Sequence, residues 1–192
     1  MGPSPPARLA NLLGAAAAGL TDAVDDAAAA AGPRLDARAA TALVALLDFA
    51  PSRPVRMLSQ VVGLTHSGAV RLVDRLAAAG YVERGPGPDS RSVTVALTGQ
   101  GRRAAERIRE QRQQVISAAL AGLTGPQRGQ LTAACELIIA NLTAQRLAQR
   151  AAGTPPAGGA LCRMCDFAAC GRPTGRCPAA AAAARPPGQP PR

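Results

Sequence analysis

The 192-residue sequence predicts a mainly α protein with one small β-hairpin set between long terminal helices. Three observations lead there. Apolar residues recur at helical spacing along most of the chain before residue 151, and one stretch, 91–97, alternates with a period of two. Residues that cap helices divide the chain at Asp36, Thr65, Thr98 and Thr124. Aromatic residues are nearly absent (Phe49, Tyr81, Phe167 and no Trp), so the core must come from Leu, Val and Ala on packed helices. Such a chain has little to spare for an aromatic-walled substrate pocket.

After a Pro-rich start, a first helix is expected over 7–31. Leu9, Leu12, Leu13, Leu20 and Val24 lie near helical spacing, and Gly32-Pro33 is a stop signal. The Ala/Gly-rich run from Leu9 to Leu20 is read as an amphipathic helix and not as a signal-peptide core, because it continues into Thr21–Asp26. Asp36 caps a second helix that ends at Phe49, with Leu43, Leu46, Leu47 and Ala50 on its apolar face. Pro51 and Pro54 bracket a short extended piece running to Val55. Met57–Val62 is a short helix closed by Gly63.

Thr65 then caps the helix THSGAVRLVDRLAAAG. At 100° per residue, Ala69, Val70, Val73, Leu76, Ala77 and Gly80 gather on one side, while Ser67, Arg71, Arg75 and Ala78 gather on the other. One face packs; the other offers a hydroxyl and guanidinium groups. Tyr81–Arg84 reads as a strand, GPGPDS as a turn, and Arg91–Leu97 as the returning strand, with Val93, Val95 and Leu97 alternating with Ser92, Thr94 and Ala96. Thr98 caps a long helix over 99–121. Thr124 with Gln127 forms a capping box, with Pro126 in the first turn, and opens the last helix, which runs to Arg150.

Charge is distributed unevenly. The formal net charge is +10, and every basic residue is Arg. We attribute the missing Lys, with the abundance of Ala, Gly and Pro, to GC-rich coding. Residues 1–52 carry three Arg against five Asp, whereas residues 53–112 carry eleven Arg against five acids. A basic middle behind an acidic start suggests a polyanionic partner for the middle, against the plainer reading of a solvated basic surface. No segment is long and apolar enough to cross a membrane, so a cytoplasmic protein is expected.

A short helix, a turn at Gly63-Leu64-Thr65, a second helix and a hairpin make a winged helix-turn-helix. At these residues the sequence resembles the MarR (multiple antibiotic resistance regulator) family of winged-helix transcription factors. The resemblance covers about residues 5–150 and is most specific in VRLVDRLAAAGYVER (70–84) and DSRSVTVALTGQG (89–101). The second run is similar to the family's wing signature: Asp, any residue, Arg, an alternating strand, Leu-Thr, and Gly three residues after the Thr. The resemblance implies a homodimer formed by the terminal helices and bound to a pseudo-palindromic site on double-stranded DNA, on the nucleoid. Ser67, Gly68 and Arg71 would face bases, Arg91 would enter the minor groove, and Asp89 would orient Arg91. Thr65, His66 and Arg75 would contact phosphates. His66 can equally be a plain helix-start residue projecting toward the packed side, and Arg75 can instead pair with Asp74 or Glu83. Gly68 weakens its helix by about 1 kcal/mol relative to Ala, and it serves either close approach to DNA or nothing.

The implied organisation is a dimerisation helix and second helix over 1–52, the DNA-binding region over 53–98, and dimerisation helices over 99–150. A linker over 151–161, a Cys-rich motif over 162–178 and a disordered tail over 179–192 complete the chain. Many relatives respond to a small-molecule effector, and others to oxidation of a Cys in the first helix, which is lacking here. Cys135, on the apolar stripe of the last helix, reads as a buried small hydrophobe. The tail is the better sensor candidate: Cys162, Cys165, Cys170 and Cys177 are spaced C-x2-C-x4-C-x6-C. Four thiolates so close suit a closed zinc site or an iron–sulfur cluster, with reversible thiol–disulfide chemistry, or a disordered appendage without a role, as the alternatives.

The function expected is therefore a non-enzymatic, sequence-specific transcriptional regulator whose signal is sensed at the Cys-rich tail. Three other readings stand beside it. The same regulator could respond to a small-molecule effector and carry a structural zinc tail. A thiol oxidoreductase would use CxxC, but the strand–helix alternation of a thioredoxin-like fold is missing. A helical dimerisation scaffold that binds no DNA is the last.

Overall fold

The computed structural model describes residues 5–30, 35–87, 93–154 and 158–185. The first half comprises α1 (Pro5–Ala30), α2 (Ala37–Asp48), β1 (Arg53–Pro54), α3 (Val55–Val62) and α4 (His66–Ala78). The strands β2 (Val82–Pro86) and β3 (Val93–Leu97) follow, then α5 (Gly99–Ala119), α6 (Gly125–Ala151) and α7 (Pro178–Ala183).

The core is wrapped around α2. Seven of its twelve residues, from Ala39 to Leu46, are buried, and small Ala side chains let neighbouring helices approach on several sides. Leu43, Val44, Leu58, Val73, Leu76, Val95 and Ile108 are the largest fully buried side chains. Each Val, Leu or Ile among them stabilises the fold by about 1.5–3 kcal/mol. The Asp36 carboxylate accepts from the Ala39 N–H at 2.8 Å and starts α2.

The turn between α3 and α4 is set locally. Gly63 ends α3 with φ 77°, in the left-handed region that glycine adopts without strain. Two residues later Thr65 starts α4, its hydroxyl accepting from the Gly68 N–H at 3.1 Å. A Cβ on Gly68 would stand 3.0 Å from that hydroxyl, which explains the glycine by the cap it closes around. Strands β1, β3 and β2 form an antiparallel sheet in that order, with Val95 of β3 between Arg53 and Arg84. Thr98 joins the sheet to α5: its hydroxyl donates to Gly80 O at 2.6 Å and accepts from the Gly101 N–H at 3.0 Å.

Helix α1 packs on α5 and α2. Helix α6 opens with the Thr124–Gln127 capping box, yet none of its 27 residues is buried within the single chain. Leu9, Leu12 and Leu13 of α1 and Leu131, Ile138 and Leu142 of α6 are exposed there. Cys135, expected to be buried on this stripe, is exposed as well.

The C-terminal part departs most from expectation. Residues 178–183, from the end of the Cys-rich motif into the expected disordered tail, form α7, which packs on α6. Pro178 at the first helical position and the Ala run behind it favour this helix. The segment expected to be a linker over 151–161 is anchored in its described part: the Ala160 N–H donates to Val61 O at 2.8 Å. Residues 186–192 lie outside the described residues.

Candidate nucleic-acid interface and cysteine module

Thr65, His66, Ser67, Arg71 and Arg75 are all exposed on α4 and its cap, and Gly68 is half-buried. Ala69, Leu72, Val73 and Leu76 pack inward, so α4 turns the outward face its periodicity indicates. Ser67 Oγ lies 3.3 Å from Thr65 Oγ1, which ties the first helical turn to its cap. His66 is exposed and does not project into the core; with Arg56, Val70, Arg84 and Val93 it lines a cleft between α4 and the sheet.

Arg75 has a partner that spacing along the chain did not suggest. Its Nη2 lies 2.8 Å from Asp36 Oδ2, across 39 residues, while Asp74 pairs with Arg84 at 2.7 Å. Burial pushes the Asp36 carboxyl up, but the Ala39 N–H and the Arg75 guanidinium outweigh it and hold the carboxyl below its usual value. Both side chains are about half exposed, so the pair is worth roughly 0–1 kcal/mol. Arg38, which the sequence reading passed over, joins Arg71, Arg75 and Gly68 in lining a cleft of about 380 Å³ between α2 and α4. Asp36, paired with Arg75, lines the same cleft, so Arg38 and Arg71 are the guanidinium groups there best able to attract phosphate oxygens. Asp89 and Arg91, assigned to the wing, lie outside the described residues.

The second constellation is the cysteine module, residues 158–185. It grips the end of α2 by its aromatic and charged residues. Phe167 meets Phe49 edge-on with ring centroids 5.8 Å apart, and the Arg172 guanidinium lies 4.5 Å from the Phe167 centroid and 5.9 Å from that of Phe49. Two of the chain's three aromatic residues thus meet under one arginine. Arg109 of α5 bridges Asp48 at 3.1 Å and Asp166 at 3.9 Å. Further along, Gly159 lies so close to the end of α3 that a Cβ on it would stand 2.1 Å from Val61 O. Arg146 of α6 donates to Gly159 O.

Within the module the Cys165 N–H donates to Cys162 O at 3.0 Å, closing a turn between the two cysteines. The Cys170 thiol lies 3.5 Å from Phe167 O. Cys162, Cys165 and Cys170 are partly exposed, whereas Cys177 is 2% exposed. A metal ion needs three or more donors directed at one point. Among the described residues no group of three or more His, Cys, Asp and Glu side chains is placed in that way.

A sequence profile of the MarR family matches residues 35–92. Among solved structures, a MarR family protein from Bacillus stearothermophilus is 24% identical with a TM-score of 0.65, over 74% of this chain and 99% of that one. RV1404 from Mycobacterium tuberculosis is 24% identical with a TM-score of 0.61, over 70% and 92%. A mutant MarR from E. coli complexed with operator DNA is 22% identical with a TM-score of 0.54, over 68% and 93%. No curated protein sequence matches the chain significantly. No helix among the described residues is long and apolar enough to cross a membrane. The segment that holds the winged helix-turn-helix thus matches the MarR family, and the helices around it are arranged as in MarR-family structures.

Proposed function

We propose that the protein is a homodimeric, sequence-specific DNA-binding transcriptional regulator of the cytoplasm and not an enzyme. The exposed face of α4, with Ser67 and Arg71 at its N-terminal end, carries the reading. The major groove presents paired acceptors that an arginine binds bidentately, and Gly68 lets the backbone come close. Thr65, His66 and Arg75, with Arg38 beside them, supply phosphate contacts. Asp89 and Arg91 on the wing serve the minor groove, where negative potential is strongest. The apolar residues left exposed on α1 and α6 form the dimer interface, since patches of this kind mark association. A two-fold dimer then reads two half-sites of one pseudo-palindrome.

The Cys-rich module is the sensor in this reading, because it touches both α2 and the end of α3. Zinc or an iron–sulfur cluster at Cys162, Cys165, Cys170 and Cys177 remains its metal-bound version. A second reading gives the module a structural role only and places a small-molecule effector elsewhere. A cavity of about 800 Å³ bordered by Phe49, Met57, Gln60, Arg150 and Ala160 favours it.

The test is selection of a duplex from random sequence by the full-length protein, followed by titration. Arg71→Ala should cost about 1–3 kcal/mol and relax preference at one base position. Arg91→Ala should weaken specific and nonspecific duplexes alike. An unchanged consensus with Arg71→Ala would mean that another face of α4 reads the bases.

A further inference from the structure

We propose that residues 158–185 are a brace within one chain, which fixes the reading head to α6 and makes the dimer selective for the spacing of two half-sites. The consequence for DNA rests on the function proposed above; the brace itself does not. The reading head, α2 to α4 with the three strands, shares one core to which α5 contributes Ala104, Ala105 and Ile108. Helix α6 stands outside that core. None of its 27 residues is buried, and among the described residues α7 is the only helix or strand that packs extensively on it. Two bodies joined with so little shared surface move relative to each other unless something else ties them.

The module supplies the tie at both ends. Toward the head, Ala160 and Met164 pack against the core, and Phe167 meets Phe49 at the end of α2. The Phe167 N–H lies 3.5 Å from Asp48 Oδ2, and Arg109 bridges Asp48 and Asp166. Toward α6, the chain turns into α7, which packs on α6 and buries Ala179 and Ala182. The two attachments come closest at adjacent residues: Arg146 of α6 donates to Gly159 O, while the Ala160 N–H donates to Val61 O of α3. One peptide unit thus joins the reading head to the dimerisation helix.

The brace leaves the face proposed for the partner free. Ile139, Ala140, Thr143 and Arg146 are the partly covered residues of α6, and Ile139, Thr143 and Arg146 follow one stripe. Leu131, Ile138 and Leu142 lie on the neighbouring stripe and are exposed. A second copy can seat there without displacing the module. Each head is then held to the helix that meets the partner, so the separation of the two α4 helices is set before DNA arrives. One added base pair moves a half-site by about 3.4 Å and turns it by about 35°. A braced dimer follows that shift only by straining its own contacts or bending the duplex.

The experiment uses full-length protein with genetically encoded, non-cysteine spin labels at Glu83 of β2 and Gln130 of α6, both exposed. The labelled chain is diluted into unlabelled protein, so that pulsed electron paramagnetic resonance reads distances within one chain. Gly159→Ala/Phe167→Ala releases the head end, and Ala179→Asp/Ala182→Asp releases the α6 end, each checked by hydrogen exchange over 158–185. The distance distribution should be narrow in the wild type and broaden in both variants, because a brace is lost at either end. On duplexes carrying two selected half-sites, one inserted base pair should cost the wild type about ten-fold in affinity, comparable to a mismatched pair, and each variant about three-fold or less. An unchanged distribution with either end released would overturn the brace. Unaltered exchange in both variants would overturn it too, since the contacts named here would then not hold the module. Broadening with an unchanged spacing penalty would overturn the role in DNA reading. If the wild type selects no duplex, the DNA-binding reading falls, and the distance measurement still decides the brace.

Discussion

Replacing Gly159 by Ala would put a methyl group 2.1 Å from Val61 O and 2.7 Å from the Val62 carbonyl carbon. Both neighbours are backbone at the end of α3, so neither can swing away as a flexible side chain would. Overpacking of this kind costs about 1–3 kcal/mol, more when backbone must move. The contacts holding the module nearby are of similar size. The Ala160–Val61 hydrogen bond is worth about 1 kcal/mol, and the Phe49–Phe167 edge contact about 0.5–1.5 kcal/mol. The partly exposed Arg109 bridge adds roughly 0–1 kcal/mol. The variant therefore releases the module more readily than it deforms α3, and the core around α2 stays intact. Hydrogen exchange followed by mass spectrometry should show backbone amides over 158–170 exchanging about 10–100-fold faster, one decade for each 1.4 kcal/mol. Amides of Leu43–Leu46 in α2 should keep their protection. If exchange over 158–170 is unchanged, the module is not held by this glycine contact. If α2 loses protection equally, the module and the core are one cooperative unit.

Leu142→Asp places a charge in the exposed apolar stripe of α6, and the protein should elute as a monomer by size-exclusion chromatography with light scattering; an unaltered dimer would put the interface elsewhere. Asp36→Asn keeps a capping side chain but removes the charge facing Arg75, so stability at pH 7 should fall by less than about 1 kcal/mol. Because the Asp36 carboxyl is held below its ordinary value, its contribution is complete above about pH 4 and is lost as pH falls through the folded value. Urea unfolding as a function of pH should therefore show a shallower acid limb for Asp36→Asn than for the wild type.

The parts of the fold written in local chemistry were legible from the sequence. Asp36, Thr65, Thr98 and the Thr124–Gln127 box each bond a backbone group three residues away, so their effect needs no knowledge of the rest of the chain. Gly63 with positive φ and the alternation of Val93, Val95 and Leu97 belong to the same class. Pairings over long separations were not legible. With 22 Arg and 12 acidic residues, nothing in the spacing selects Asp36 for Arg75, or Asp48 and Asp166 for Arg109. Arg38 escaped notice for the same reason: its place beside Arg71 depends on how α2 meets α4. Cys135 differs from expectation because apolar periodicity marks a face suited to packing and does not say that the same chain covers it. The Ala-rich run after Pro178 was misjudged from composition: alanine there serves a helix that leans on α6.

The bridge between Arg75 and Asp36 bears on how duplex binding would be counted in solution. A free arginine that reaches a phosphate displaces a cation from the DNA, and the logarithmic dependence of affinity on salt registers it. Arg75 already has an anion at 2.8 Å, so turning to a phosphate means leaving Asp36, whose carboxylate then recruits a cation of its own. The two ion movements oppose each other. Arg75 can therefore add to affinity while leaving almost no mark on the salt slope, and the ion count will understate the number of arginines that touch the backbone.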